Sequence, residues 1–182
     1  MGNATGTGGA SALLDVFATI DVEPMSGAGV TIVAADGREY LDFYGGHAVA
    51  ALGYGHPRLL EALERQARTL LFQSNLVPLA VRERAARALL GFAPDGFDRV
   101  FFVNSGAEAN ENALRIAFRA TRRPVVVAVE GAFHGRTAAA AAITAGAEAW
   151  NGFPGQPFEV RRVPFDDVDA MEAAVRDDVD RK

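Results

Sequence analysis

The 182-residue sequence contains no cysteine, and its net charge is −5. Without cysteine the chain has neither a disulfide nor a thiolate metal site, so we predict no metal and favour a cytoplasmic location. Because there is no basic excess, we expect no nucleic-acid partner. The longest run of small apolar residues, 138–142, is far shorter than the roughly 20 residues that cross a bilayer, so we expect no membrane span.

Lysine is almost as rare as cysteine. Lys182, the last residue, is the only lysine, and all other basic residues are arginines. Any chemistry that requires an internal lysine amine is therefore unavailable within this sequence.

The order of hydrophobic patterns predicts two regions after a small, polar and disordered tail at residues 1–10. Residues 11–95 contain a hairpin around Asp36-Gly37, a glycine-rich loop, and helices over about 57–71 and 79–90. Residues 96–182 alternate strand and helix, which is typical of an α/β domain with a parallel sheet. The strands of this second region are predicted at 99–103, 124–130 and 158–164.

The segment "FFVNSGAEANENALRIAFRA", 101–120, changes from a strand pattern to a helix pattern at Ser105-Gly106. Ser105 and Glu108 have the spacing of a capping box, in which each side chain accepts a hydrogen bond from the backbone of the other. The same turn is also suited to a phosphate, because Gly106 has no side chain and the first N–H groups of a helix are free. From this segment alone, both interpretations remain open.

A second loop, "EGAFHGRT" at 130–137, follows the valine-rich strand and is expected at the same sheet edge. The Phe133 ring could lie against a flat ligand, and the Arg136 guanidinium suits a carboxylate. Each residue alone could equally be structural or solvated. Together the two loops favour a phosphorylated aromatic cofactor.

Taken together, these motifs resemble the class III (subgroup II) pyridoxal-phosphate aminotransferases, most closely their acetylornithine branch. The resemblance also includes "GVTIVAADGREYLDFYGGHAVAALGYGHP" (29–57), "FQSNLVPLAVRERAARAL" (72–89) and "FEVRRVPFDDVDAMEAAV" (158–175). It implies a PLP-transferase of fold type I, with a mixed, mostly parallel sheet. In that fold, residues 11–95 are an N-terminal arm or small-domain segment with linking helices, and residues 96–182 begin the large domain.

The resemblance assigns roles to individual residues. Ser105, Gly106 and Ala107 match the turn that holds the cofactor phosphate, where some relatives carry threonine at the position of Ala107. Phe133 matches the residue that stacks on the pyridine ring, and Arg136 matches the arginine that binds the substrate α-carboxylate. Tyr44 and the glycines around His47 match a loop that borders the substrate pocket.

Two parts of the family's machinery have no match here: the Schiff-base lysine and the aspartate that faces the pyridine nitrogen. In the family order both lie beyond residue 182, so we expect the front part of an aminotransferase, inactive alone and poorly soluble or partly disordered. The parent enzyme would be a homodimer that transfers an amino group from N-acetylornithine, or a related ω-amino acid, to 2-oxoglutarate. The alternative is a non-catalytic module that binds a phosphorylated ligand or serves assembly.

Overall fold

A computed structural model describes residues 12–179. The tail predicted at residues 1–10 lies outside these described residues, and so does Lys182. The chain divides into two compact units, Met1–Leu79 and Ala80–Lys182. The boundary predicted between residues 95 and 96 concerns the domains of the larger fold and stays a prediction.

The first unit contains a three-stranded antiparallel sheet. Its elements are β1 (Pro24–Ala28), β2 (Thr31–Ala34), β3 (Glu39–Leu41), a short turn α1 (Gly45–Ala48) and α2 (Pro57–Thr69). The order of the strands is β1-β2-β3. The predicted hairpin is confirmed as β2 and β3, and Gly37 in its turn has the positive φ, 82°, that favours glycine. Strand β1 has no signal in the sequence, because its residues PMSGA include only one large apolar side chain.

The predicted glycine-rich loop does have unusual backbone angles. Four consecutive residues, 45–48, have φ between 55° and 62°, and two of them, His47 and Ala48, are not glycine. The Asp42 carboxylate accepts hydrogen bonds from the N–H groups of Tyr44 at 2.9 Å and Gly45 at 2.8 Å. Left-handed backbone costs about 1–2 kcal/mol for each non-glycine residue, so this loop is held in shape by its surroundings.

Asp42 also connects this loop to the residues that follow it. The Tyr54 hydroxyl donates to Asp42 at 2.6 Å, and this bond, together with the N–H groups of Gly45 and Tyr44, lowers the pKa of Asp42. The same bond raises the pKa of Tyr54. Tyr54 pairs through its backbone with Gly29, next to β1. The loop is therefore fastened to the sheet of the first unit.

The second unit alternates helix and strand, as predicted. Its elements are α3 (Ala80–Leu90), α4 (Gly106–Thr121), β4 (Val125–Val129), α5 (Ala138–Ile143), a 3-10 turn (Ala147–Ala149), β5 (Glu159–Val163) and α6 (Val168–Val179). Strands β4 and β5 are parallel, in register from Val125 opposite Glu159 to Val129 opposite Val163. Helix α4 packs on α5, and α6 packs on both strands. The predicted parallel pairing across a helical crossover is confirmed for these two strands.

Helix α5 is the most buried element of the second unit. Five of its six residues, 139–143, are buried, and Ala128 of β4 and Val163 of β5 are buried as well. Alanine allows this helix to approach its neighbours closely. No helix of the described residues is both long and apolar enough to cross a membrane.

The predicted strand at 99–103 does not form, and this prediction was wrong. Within the described residues, β4 and β5 pair only with each other, so the extended segment before α4 has no ladder partner. Phe101 is 65% exposed and Phe102 is 42% exposed. A strand exists only through its hydrogen-bonded neighbour, and the apolar pattern of residues 101–103 cannot supply one.

We predict that the 182-residue chain aggregates on concentration and binds a hydrophobic dye. The reason is that Phe101 and Phe102, together with Phe43, Leu76 and Phe92, expose apolar surface of the kind that drives association. The measurements are dye fluorescence and light scattering during concentration, together with a circular dichroism melt. A monomer that binds no dye and melts in one sharp transition would contradict the prediction.

Candidate active site

Ser105 is the N-cap of helix α4, and only one of the two hydrogen bonds of the predicted capping box forms. The Ser105 Oγ accepts a hydrogen bond from the N–H of Glu108 at 3.1 Å, as a capping box requires. The Glu108 carboxylate does not return to Ser105, however. It accepts instead from the N–H of Asn104 at 2.6 Å.

The start of α4 is open around Gly106. A Cβ atom added to Gly106 would meet no other atom within 4 Å. The N–H groups in the first turn of a helix have no acceptor within the helix, so those of Gly106 and Ala107 can receive an anion. Glu108, the nearest carboxylate, is engaged with Asn104 on the chain before the helix.

Glu111 is the second carboxylate near the start of α4, and its side chain caps a different helix, α5. Its Oε1 accepts hydrogen bonds from the N–H of Ala139 at 2.7 Å and of Ala140 at 3.3 Å, the first turn of α5. Burial acts to raise the pKa of Glu111. Hydrogen bonds from the Thr137 hydroxyl and from these two N–H groups outweigh burial, so the pKa lies below its ordinary value. Glu111 thus caps α5 as an anion and is not aimed at the start of α4.

Phe133 and Arg136 lie in the loop between β4 and α5. The Phe133 ring is 64% exposed. The Arg136 guanidinium carbon lies 5.5 Å from the centre of that ring, within the range of a cation–π contact. An exposed ring with a cation beside it is suited to a flat ligand that carries negative charge.

The two loops meet through Gly135 and Ala107. Gly135 is buried and has a φ of 134°, and a Cβ atom added to it would lie 2.6 Å from the Ala107 Cβ. The methyl group of Ala107 therefore packs against the second loop. This close approach brings the start of α4 next to Phe133 and Arg136.

The result is one pocket of about 410 Å³. Its lining contains four of the five predicted site residues, namely Gly106, Ala107, Phe133 and Arg136. Ser105, the fifth, caps the helix directly before them. The volume lies within the range of small-molecule sites.

An unsatisfied polar atom supports a ligand at this pocket. His134 also lines it, and its Nε2 is buried without a hydrogen-bond partner among the described residues. Buried polar atoms are nearly always paired in native proteins, so an unpaired one needs an explanation. This atom and the open space at Gly106 are compatible with a polar ligand in the pocket.

Three further residues of the site, His134, Asn110 and Thr144, have no assigned role in the sequence prediction. The Asn110 side-chain amide donates to the His134 carbonyl at 2.7 Å, and the Thr144 hydroxyl accepts from the His134 N–H at 2.9 Å. Asn110 could have been predicted at the site from its position, because it lies one helical turn after Gly106 and so on the same face of α4. His134 by its sequence indicates only a surface residue that forms hydrogen bonds.

The loop around Tyr44 and His47 belongs to the first unit. Their rings are in edge contact, with centroids 4.8 Å apart. The role of this loop at the substrate pocket stays a prediction.

A larger groove of about 720 Å³ lies further along α4 and contains none of the predicted site residues. It is lined by Glu111, Leu114, Arg115 and Phe118 of α4, by the start of α5, and by the chain segments that lead into β4 and β5. Among residues 12–179 no group of three or more acidic or histidine side chains could hold a metal ion.

The architecture is that of a transaminase. The ornithine aminotransferase from Toxoplasma gondii, in a structure with partial occupancy of PLP at its active site, superposes with a TM-score of 0.81 and 30% identity. This superposition covers 91% of the present chain and 40% of that one. The family model of class-III aminotransferases matches residues 17–181, so the chain belongs to the class-III aminotransferase family.

Curated relatives narrow the comparison. The chain is 43% identical over 170 residues to the acetylornithine aminotransferase of Streptomyces coelicolor, covering 91% of this chain and 41% of the relative. It is 44% identical over 165 residues to the acetylornithine aminotransferase of Mycolicibacterium smegmatis, covering 91% and 42%. The chain thus spans about two fifths of the length of the curated relatives that it matches.

We predict that Gly135→Ala separates the two loops of the pocket. The new methyl group would overlap Ala107 and occupy a strained backbone, and such overpacking costs about 1–3 kcal/mol in addition to the strain. The control is Gly131→Ala in the same loop, where φ is 74° and a Cβ meets nothing within 4 Å. Chemical denaturation should show the larger loss for Gly135→Ala. Equal losses would disprove the close packing.

We predict that Glu111→Gln removes part of the acid sensitivity of the second unit. Because the pKa of Glu111 is lowered in the folded chain, its carboxylate stabilises the fold above its ordinary pKa of 4.5. That stability is lost as pH falls through the folded value. The helical circular dichroism signal, recorded from pH 7 to pH 3, should be lost less steeply for the variant. Glu130→Gln, an exposed carboxylate outside the cap, is the control and should retain the wild-type slope.

Proposed function

We propose that this chain forms the cofactor-binding front part of a PLP-dependent aminotransferase of the acetylornithine type. The parent enzyme would move an amino group from N-acetylornithine, or a related ω-amino acid, to 2-oxoglutarate, a step of arginine and ornithine biosynthesis. The single pocket that unites Gly106, Ala107, Phe133 and Arg136 carries the proposal. The names of the curated relatives support the amino donor.

The phosphate of the cofactor would bind at the start of α4. Ser105 holds the first turn in shape through the N–H of Glu108, and the N–H groups of Gly106 and Ala107 are the donors. The positive end of the helix dipole adds attraction for a dianion. Ala107 has no hydroxyl to add to the phosphate, and its methyl group packs on Gly135.

The ring of the cofactor would lie against Phe133, and Arg136 would bind the α-carboxylate of the substrate. A guanidinium and a carboxylate form two parallel hydrogen bonds, which orient the substrate as well as hold it. The contact between Arg136 and Phe133, with the guanidinium carbon 5.5 Å from the ring centre, supports neighbouring roles for these two residues. When bound, PLP supplies an electron-withdrawing ring that makes the Cα–H of an amino acid acidic.

By resemblance, proton transfer at that carbon belongs to the Schiff-base lysine, and residues 12–179 contain no lysine. Lys182, the only lysine, stands in no matching motif. Chemistry in the parent enzyme would then depend on residues outside this 182-residue sequence. The proposal includes a homodimer and a cytoplasmic location for the parent enzyme. Acetylornithine, ornithine and succinylornithine are the candidate amino donors, and comparing the activity of the parent enzyme on each of them distinguishes the three.

A second candidate is a non-catalytic module that binds a phosphorylated ligand or serves assembly. The observation that favours it is the lack of any internal lysine. Such a module would use the same pocket, so the two candidates differ in catalysis and not in cofactor affinity.

We predict that the 182-residue chain binds pyridoxal 5′-phosphate more tightly than pyridoxal, because only the phosphate engages the start of α4. Phe133→Leu should weaken PLP binding about two- to tenfold, the value of an aromatic contact. Arg136→Ala should leave PLP affinity within about twofold and weaken N-acetylornithine binding to the PLP-loaded chain about tenfold or more. Absorbance titration at low micromolar chain concentration, below the range in which we expect aggregation, measures all three effects.

The matched controls are Phe165→Leu and Arg119→Ala, an exposed ring and an exposed arginine outside the pocket. Both should bind PLP and N-acetylornithine as the unaltered chain does. Equal affinity for PLP and pyridoxal would refute the phosphate site. An equal loss of PLP and amino-acid binding in Arg136→Ala would remove that residue from the substrate role.

A further inference from the structure

Both backbone polar groups of His134 are held by side chains from neighbouring helices. Its N–H donates to the Thr144 Oγ1 at 2.9 Å, and its C=O accepts from the Asn110 amide at 2.7 Å. The two side chains come from the end of α5 and from the first turns of α4. The peptide groups on either side of His134 are therefore fixed against two different helices.

Thr144 is placed unusually for a hydroxyl residue. It is 2% exposed, and of the residues that the structure describes it is the only polar one with a fully buried side chain. Its hydroxyl lies 3.1 Å from the Gly135 carbonyl and 2.9 Å from the Ala140 carbonyl. A hydroxyl has one proton to donate and can accept at the same time. Accepting from His134 while donating to Gly135 or Ala140 uses its one proton and one of its two acceptor positions.

A merely local role does not account for this arrangement. A threonine at a helix end commonly bonds the carbonyl four residues earlier, which here is Ala140. That bond would need no contact with the preceding loop. Here the same oxygen also takes the N–H of His134, ten residues earlier in the chain.

We propose that Thr144 and Asn110 are positioning residues for the pocket. They fix the Phe133-His134-Gly135 backbone against α4 and α5, so that the Phe133 ring and Arg136 stand opposite the phosphate donors of Gly106 and Ala107. Neither side chain is assigned to the ligand itself. This inference rests on the proposed function for the identity of the ligand, but the order of the loop can be measured without any ligand.

The physical reason is preorganisation. A loop that is already fixed loses little conformational entropy when a ligand arrives, so affinity is higher than for a loop that must first become ordered. Releasing the His134 peptide would leave the exposed Phe133 ring free to sample other directions. Ligand affinity would then be lower, in addition to any decrease in the free energy of unfolding.

The first test is amide hydrogen exchange of the 182-residue chain at low micromolar concentration without ligand. Thr144→Val, which keeps the shape and removes the hydroxyl, should speed exchange of the His134 amide at least tenfold. Thr144→Ser keeps the hydroxyl and should restore slow exchange. Ile143→Val, a buried change at the same helix end, is the control for lost packing and should leave this amide within about twofold.

The second test uses Asn110, in case Thr144→Val does not fold. Asn110→Ala should speed exchange across residues 133–136. The control is Asn112→Ala on the same helix, because the Asn112 amide donates within its own helix to the Glu108 carbonyl at 2.8 Å. Equal exchange rates across residues 133–136 in Asn110→Ala and Asn112→Ala would disprove the positioning role. So would fast exchange of the His134 amide in Thr144→Ser when Thr144→Val is folded.

The third test asks whether the residues act through Phe133. In titrations with pyridoxal 5′-phosphate, Thr144→Val alone should weaken binding about five- to tenfold. In a Phe133→Leu background the same change should have less than about a twofold effect, since the ring to be positioned is gone. Equal effects in both backgrounds would overturn the inference. A chain with a protected loop that binds no PLP would instead refute the proposed function and leave the loop assignment standing.

Discussion

Helix α5 is six residues long and is held at both ends by side chains from other elements. Glu111 of α4 accepts from the N–H groups at its start, and Arg162 of β5 donates to the carbonyls of Ala142, Ile143 and Thr144 at 2.9–3.2 Å. So short a helix is not stable by itself in water. An anion at the N-terminus and a cation at the C-terminus both match its dipole. The alanine surface can then be buried, and Thr144 at its end reaches the loop before it.

The shape of the pocket depends on these contacts of Glu111 and Arg162 with the two ends of α5. One side of the pocket is the start of α4, the helix that carries Glu111, and the other is the loop that leads into α5. Gly135 lies between them against Ala107 and has room for no side chain. The same helix thus contributes Gly106 and Ala107 to the pocket lining and, one turn later, Glu111 to the cap of α5. The carboxylates whose charge would oppose an anion are turned to other backbone groups.

Features set by neighbours in sequence could be predicted. The hairpin at Asp36-Gly37, the cap at Ser105 and the valine strand β4 each depend on a few adjacent residues. The residues of the candidate site were found because glycine, phenylalanine and arginine in strand-end loops have a direct chemical interpretation. The family resemblance then gave them roles.

Features set by distant partners could not be predicted. Glu111 reaches Ala139 across 28 residues, and nothing local to Glu111 distinguishes it from a solvated carboxylate. Thr144 has the sequence environment of an ordinary residue at a helix end, and only the folded chain brings it to His134. The strand prediction for residues 99–103 was wrong for the same reason. The apolar pattern fits a strand, but it does not show whether a neighbouring strand is there to pair with it. Tertiary geometry decides such cases.

The contact of Arg162 with the end of α5 carries a consequence for how the chain matures on the ribosome. The loop that holds Phe133 and Arg136 is synthesised well before Arg162, yet the helix that anchors this loop has its second clamp only when β5 has emerged and paired with β4. Until Arg162 is added, the carbonyls of Ala142, Ile143 and Thr144 lack this donor. The final shape of this end of α5 therefore requires a residue that is added almost twenty positions later.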